Sequence, residues 1–182
     1  MKKKNLLVMA AVVVGFIGLC SFMAITWKTY TNKYITMKYP DTYKITDEEQ
    51  GEDSFDFCCE IKNSDISMVQ VSIMKIDGMN ELSSSDRDDA LRAGVDAMRE
   101  AVFENEIYKN PSCSAVTKVK KGKHSGYAFT FTATIMTVDV MGEAFMTIYG
   151  NNMMATVSQC ETASQMKTLN QIVEGISFLS LK

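Results

Sequence analysis

The chain opens on an unbroken apolar block and then changes to short alternating stretches. From Leu6 to Trp27 there is no charge, and nothing more polar than Ser21 and Thr26. A run of this length matches the ~20 residues a helix needs to cross a bilayer, and exceeds the ~7–15 apolar residues of an ordinary signal-peptide core. Lys2, Lys3 and Lys4 precede it and favour a cytoplasmic start, although Lys28, Lys33 and Lys38 on the far side weaken that bias. Residues 1–27 are therefore expected to be a signal anchor or a signal peptide, one N-terminal membrane helix if retained, with the rest of the chain outside the cytoplasm. Two other fates stay open. One is cleavage after Ser21 or Ala24. The other is lipidation of Cys20, although Leu19 occupies the place where a small residue is wanted.

Beyond the block, Lys28 to Lys33 is polar and is expected to be a short tether (28–33), so that a single globular domain occupies 34–182. Tyr34 to Tyr39 alternates as a half-buried strand and stops at Pro40-Asp41. In the next strand Phe55, Phe57, Cys59 and Ile61 share one face, while Ser54, Asp56, Cys58 and Glu60 share the other, because strand side chains alternate with period two. Cys59 should thus point inward. A third strand is expected over 66–76, with Val69, Val71 and Ile73 on its apolar face and Met68 and Met74 opposite, closed by Asp77-Gly78.

The period then changes to that of a helix. Ser83, Ser84 and Ser85 offer N-caps, Asp86, Asp88 and Asp89 suit the positive helix start, and Leu91, Val95, Met98 and Val102 form a core stripe. The helix should stop before Asn110-Pro111. A hairpin of strands at 115–121 and 126–138 follows, turned by residues 121–126. In its second strand Tyr127, Phe129, Phe131, Ala133 and Ile135 make a dry face for a helix to cover, with Ala128, Thr130, Thr132 and Thr134 on a wetter one. Strands at 144–150 and 153–159 turn at Asn151-Asn152. Thr162 caps a last helix bearing Met166, Leu169, Ile172 and Val173, which Gly175 ends before an extended tail, Ile176 to Leu179.

These patterns define an α+β class, and charge narrows the function. Residues 28–182 hold sixteen lysines and arginines against twenty-two acids, a net charge of −6. No basic stripe exists to neutralise phosphates, so nucleic acid is excluded as a partner. No glycine-rich phosphate loop or nucleophile elbow occurs. His124 is the only histidine and sits in a lysine-rich turn without local partners for catalysis or metal. Asp86, Asp88 and Asp89 lack the glycine and terminal glutamate of a calcium loop. Lys118, Lys120, Lys121 and Lys123 form a basic edge that protects a strand from pairing, and could also touch acidic partners or anionic headgroups. No catalytic, cofactor-binding or metal-ligating set emerges, and no cofactor is expected. Met68, Met74, Met98, Met136 and Met166 read as core filler.

The cysteines carry the remaining chemistry. In an oxidising compartment Cys58, Cys59, Cys113 and Cys160 are candidates for disulfides. A bond between Cys58 and Cys59 would strain a strand whose side chains point oppositely, which leaves two pairings open. A redox reading of the Cys58/Cys59 pair lacks the C-x-x-C spacing at a helix start.

Two segments resemble a known family. Tyr34-Ile35-Thr36-Met37-Lys38-Tyr39-Pro40 is similar to the opening strand and proline turn of the PsbP-like fold, which includes DcrB-like bacterial lipoproteins, although Tyr43 stands where a tryptophan is common. Leu169 to Leu179 is similar to that family's closing helix and tail. The resemblance implies a central antiparallel sheet flanked by helices, an α/β/α sandwich, and mostly non-enzymatic binding or assembly roles. It carries over no site residue. The expected function is a non-enzymatic, membrane-tethered binding module of the cell envelope, held by its N-terminal segment and engaging an extracytoplasmic protein. Two alternatives stand beside it: a small apolar-ligand carrier, marked by a closed cavity lined by side chains such as Tyr127, Phe129 and Phe131, and a thiol-disulfide redox protein using Cys58/Cys59.

Overall fold

The computed structural model describes residues 25–64 and 66–179. The strands are β1 (Trp27–Thr31), β2 (Ile35–Pro40), β3 (Tyr43–Gln50), β4 (Ser54–Ile61) and β5 (Met68–Lys75), followed by helix α1 (Ser84–Glu104). Then come β6 (Tyr108–Cys113), β7 (Thr117–Lys121), β8 (His124–Ile135), β9 (Val138–Tyr149), β10 (Asn152–Cys160), helix α2 (Ala163–Glu174) and β11 (Ser177–Phe178). Eight strands form an antiparallel sheet in the order β3-β4-β5-β10-β9-β8, with β6 and β7 both pairing with the outer side of β8. A small sheet, β1-β2-β11, stacks beside it.

Helices flank the large sheet on both faces, as the α/β/α expectation requires. On the outer face α1 lies against β6, β8 and β9, where Leu91, Val95 and Val102 meet Phe129, Phe131, Ala144 and Met146. On the inner face α2 and the small sheet share a core in which Ile35, Met37, Phe57, Cys59, Val71 and Leu169 are sealed from solvent. Both helix starts follow local chemistry. Ser83 Oγ accepts from the Asp86 amide at 3.1 Å, and Thr162 and Gln165 close a reciprocal capping box at the start of α2. Among the described residues no helix is long and apolar enough to cross a membrane. The segment expected to do so falls almost wholly in residues 1–24, which with Cys20 lie outside the described residues.

Several boundaries differ from the sequence reading. The stretch 28–33, expected as a tether, instead carries β1, whose Trp27 pairs with Pro40 and Thr31 with Thr36. Its aromatic and threonine residues suit a strand. Most of β1 is exposed, so no apolar alternation betrayed it. For the same reason β3 left no sign in the sequence pattern: beyond Tyr43 it is an edge strand ending Asp47-Glu48-Glu49-Gln50, bulged between Thr46 and Glu49 with Asp47 at φ 52°. Asn110-Pro111, read only as a terminator, lies inside β6, at a bulge on an edge where a proline costs no ladder bond.

The expected strand 126–138 is cut by a turn at Met136-Thr137, with Met136 at φ 55°. A methionine there gives no turn signal. The preceding turn is tighter than expected, since Lys121 pairs with His124 and the histidine joins β8. The dry face of β8 holds: Phe129, Phe131, Ala133 and Ile135 are buried while Thr130 and Thr132 are exposed. Ala128 departs from it, buried toward α2 rather than α1.

Candidate functional site

The outer face of the large sheet is covered unevenly. Because α1 sits on β6, β8 and β9, the outward residues of β4 and β5 lie beyond it: Ser54, Asp56, Cys58 and Glu60, then Gln70, Ser72 and Met74. Where this open half meets α1 there is a groove of about 310 Å³, floored by Met153, Ala155 and Val157 and flanked by Met74, Met98 and Met146. Met74, expected as core filler, is 49% exposed on its rim. Methionine is unbranched and polarizable, so such a lining adapts to apolar groups of varied shape.

Next to the groove the face is acidic. Asp47, Cys58 and Glu60 present ligand-type atoms within 4.8 Å of one another, brought together by the register that sets Thr46 opposite Cys58 and Lys44 opposite Glu60. Lys44 Nζ stands 3.0 Å from Glu60 and offsets part of that charge. These three side chains are the described residues whose donor types could hold a cation. Burial, and then the charges of Asp47, Glu60 and Asp56, push the Cys58 thiol above its ordinary pKa. A nucleophilic thiol needs the reverse. Under native conditions at neutral pH, Cys58 should alkylate more slowly than a cysteine in a short peptide, its rate climbing only above the ordinary thiol value of 9.0. Asp47→Asn should speed it; an unchanged rate by mass-resolved labelling would show that the acids do not control it.

All four described cysteines are free thiols. Cys59 does point inward, fully buried beside Tyr43, and burial pushes its pKa up to about 12. Cys160 shares that core and donates to the Thr162 carbonyl at 3.3 Å. The strand order keeps Cys59, Cys160 and Cys113 apart. β5 lies between β4 and β10, which sets Cys59 and Cys160 about 10 Å apart across the sheet, beyond the ~4.4–6.8 Å Cα separation of a disulfide. Cys58 faces the other side, and Cys113 lies on β6 at the far edge.

The other candidate residues have structural duties. His124 is buried, its Nε2 2.9 Å from the Ile176 carbonyl and its ring edge-on to Phe178 at 5.3 Å, so it ties the C-terminal tail to β8. Asp86 accepts from the Ser83 hydroxyl at 2.7 Å within the α1 cap. Asp88 accepts from Lys118 at 2.5 Å and from the Tyr127 hydroxyl at 2.6 Å, and these bonds, Lys118 first, hold its carboxyl below the usual range. Lys121 is buried against Glu143 and Asn170. Of the four edge lysines, Lys118 and Lys121 are therefore already paired, which fits edge protection better than a docking patch.

Phe129 and Phe131 are core beneath α1 rather than the walls of a closed ligand chamber, with Tyr127 at the core's margin. Phe131 lies against Gly142 on the neighbouring strand, where a Cβ would come within 2.0 Å of its ring. On the opposite face an open groove of about 500 Å³ runs past Thr130, Phe131, Thr132, Met141, Glu143 and Met166, so Phe131 also borders it.

The architecture is that of the PsbP-like fold, an antiparallel sheet between helices. Cyanobacterial PsbP (CyanoP) from Synechocystis superposes with a TM-score of 0.60 at 10% identity, over 91% of this chain and 100% of that one. A protein from Bacteroides thetaiotaomicron superposes with a TM-score of 0.54 at 15% identity, over 84% of this chain but 48% of that one, so the chain spans about half its length. At such identities the likeness concerns the fold alone. No protein-family model matches the chain. No curated protein sequence is similar to it.

Proposed function

We propose that the protein is a non-enzymatic binding or assembly module of the cell envelope, held at the membrane by its N-terminal segment, whose folded domain engages an extracytoplasmic protein through the open half of its outer sheet face. The observation that carries this reading is the position of α1. It covers β6, β8 and β9 and leaves β4 and β5 with an acidic surface running into a methionine-lined groove. An apolar centre with a charged rim is the anatomy of a protein-binding patch. The raised pKa of Cys58 and the filled core around Phe129 and Phe131 weigh against the redox and carrier alternatives.

The test is site-specific photocrosslinking in the producing cell. A benzophenone side chain at Gln70, on the open face, is expected to give a discrete adduct, whereas one at Gln171, exposed on α2, is not. Equal adducts from both positions, or none from Gln70, would remove this face as the binding site.

A further inference from the structure

Where β1 begins limits how the domain can stand relative to a membrane. The apolar run reaches Trp27, and Trp27 is already the first residue of β1, paired with Pro40; just before it, the Thr26 carbonyl accepts from the Asp41 amide at 2.8 Å. No polar linker separates the run from β1 in the sequence. If the run is embedded, the end of the domain at which Trp27 enters must lie against the bilayer.

Strand pairing identifies what else lies at that end. β2 passes straight into β3, so the Trp27–Pro40 end adjoins the Tyr43–Ile61 pair. Along the sheet the same end is continued by Glu60 with Met68, Met68 with Gln159, and Cys160 with Met141. The β8–β9 hairpin runs past the last residue of β10 and turns at Met136. Alongside it the C-terminus of α1 leads into Tyr108, which pairs with Ile135. Five of the eight large apolar side chains exposed on the described residues sit here: Ile25 (56%), Trp27, Phe103, Ile107 (61%) and Met136 (80%).

Met136 is the most exposed of these. It occupies a left-handed conformation that glycine or asparagine would adopt at lower cost, and at 80% exposure it adds little to the core. Its neighbours Ile135 and Val138 belong to a small cluster that anchors the hairpin. Charge does not draw this end to a bilayer, since Lys28, Lys62 and Lys109 are outnumbered by Asp41, Glu104, Glu106, Asp139 and Glu161. Attraction to the bilayer would come from apolar burial at the headgroup boundary, where tryptophan is also favoured.

We infer that this end of the domain is a lipid-docking surface: the Met136 hairpin tip and Ile107 seat in the boundary between headgroups and acyl chains of the bilayer that holds the N-terminal run. The inference rests on the tethered reading, and one experiment separates the two. The full-length chain is reconstituted in phosphatidylcholine vesicles with lipids brominated on the upper acyl chain. Trp27 is the sole native tryptophan and reports the tether. In a Trp27→Phe background, Met136→Trp and, separately, Ile107→Trp report docking, and Leu82→Trp reports the opposite end of the sheet. Expected are blue-shifted emission and quenching at 136 and 107 comparable to that of Trp27, little change with salt, and no quenching at 82. Quenching of Trp27 without quenching at 136 or 107 would overturn the docking and leave the tether. Quenching of none of them, with the protein released by alkaline carbonate, would overturn both. Using two reporters at this end guards against one variant that disturbs its own turn.

Discussion

Phe57→Ala is expected to lower the unfolding free energy by about 3–5 kcal/mol, through lost transfer free energy and the cavity left behind. Phe57 is 1% exposed and sits between the two sheets, its ring 5.0 Å from Tyr30 on β1 and 5.9 Å from Phe55. Stabilities of domains this size run to about 5–15 kcal/mol, so the loss is a large share of the total. It also bears on function. β1 is mostly exposed, so much of what fastens it, and with it the entry of the chain, to the large sheet is the packing of Tyr30 on Phe57. Denaturant unfolding of the full-length chain in detergent micelles should show a lower midpoint with an unchanged slope. Faster hydrogen exchange should appear in β1 before β8 and β9. A loss under about 1 kcal/mol would mean that the small sheet holds its place without this layer.

What the sequence made legible follows a physical division. Where the determinant is local, the reading and the structure agree. Ser83 and Thr162 cap their helices because a hydroxyl can reach the free amides of the first turn wherever the helix lies. The inward direction of Cys59 follows from the period of two along β4, set by its apolar neighbours Phe55 and Phe57. β1, β3 and β6 had no such marker. They are edge strands held largely by backbone pairing, with most of their side chains in water and only Tyr30, Tyr43, Ile45, Tyr108 and Cys113 packed on a core, so they carry little pattern. The Met136 turn was hidden for a different reason: an apolar residue with positive φ at a hairpin tip contradicts the chemistry from which turns are recognised.

The candidate surface was less legible than the fold because it depends on coverage. Composition placed acids and methionines in the chain, but which strands α1 covers is decided by the packing of Leu91, Val95 and Val102 on Phe129 and Phe131. The cluster of Asp47, Cys58 and Glu60 depends on the register of β3 against β4, and no pattern in the sequence pointed to β3. His124 shows the converse. Its partner, the carbonyl of Ile176, lies 52 residues away, so the sequence could dismiss a catalytic role but could not supply the structural one.

The inner core makes a second large effect, one of pH. Burial pushes Tyr43 up to about 12, with smaller contributions from the charges of the neighbouring thiols, and pushes Cys59 up to about 12 as well. Below about pH 8 both groups are protonated whether the chain is folded or not, and they contribute no pH dependence. Above their ordinary values of 9.0 for the thiol and 10.0 for the phenol, the unfolded chain loses these protons while the folded chain keeps them until about 12. The unfolded state then binds fewer protons, so stability falls as pH rises, by about 1.4 kcal/mol per pH unit for each group within its window. At pH 11 the combined loss is on the order of 4 kcal/mol, a large share of the stability of an ordinary domain. Cys59→Val should remove the part that starts near pH 9, and Tyr43→Phe the part that starts near pH 10. Lysines also begin to lose protons in this range, so the decisive comparison is the double variant against the parent. A midpoint of denaturation that falls equally steeply in both would place the alkaline sensitivity outside this core. Tyr43 stands where β2 hands over to β3, beside the entry of the chain, so the loosening it causes should reach β1 and β2 while α1 still protects the strands beneath it.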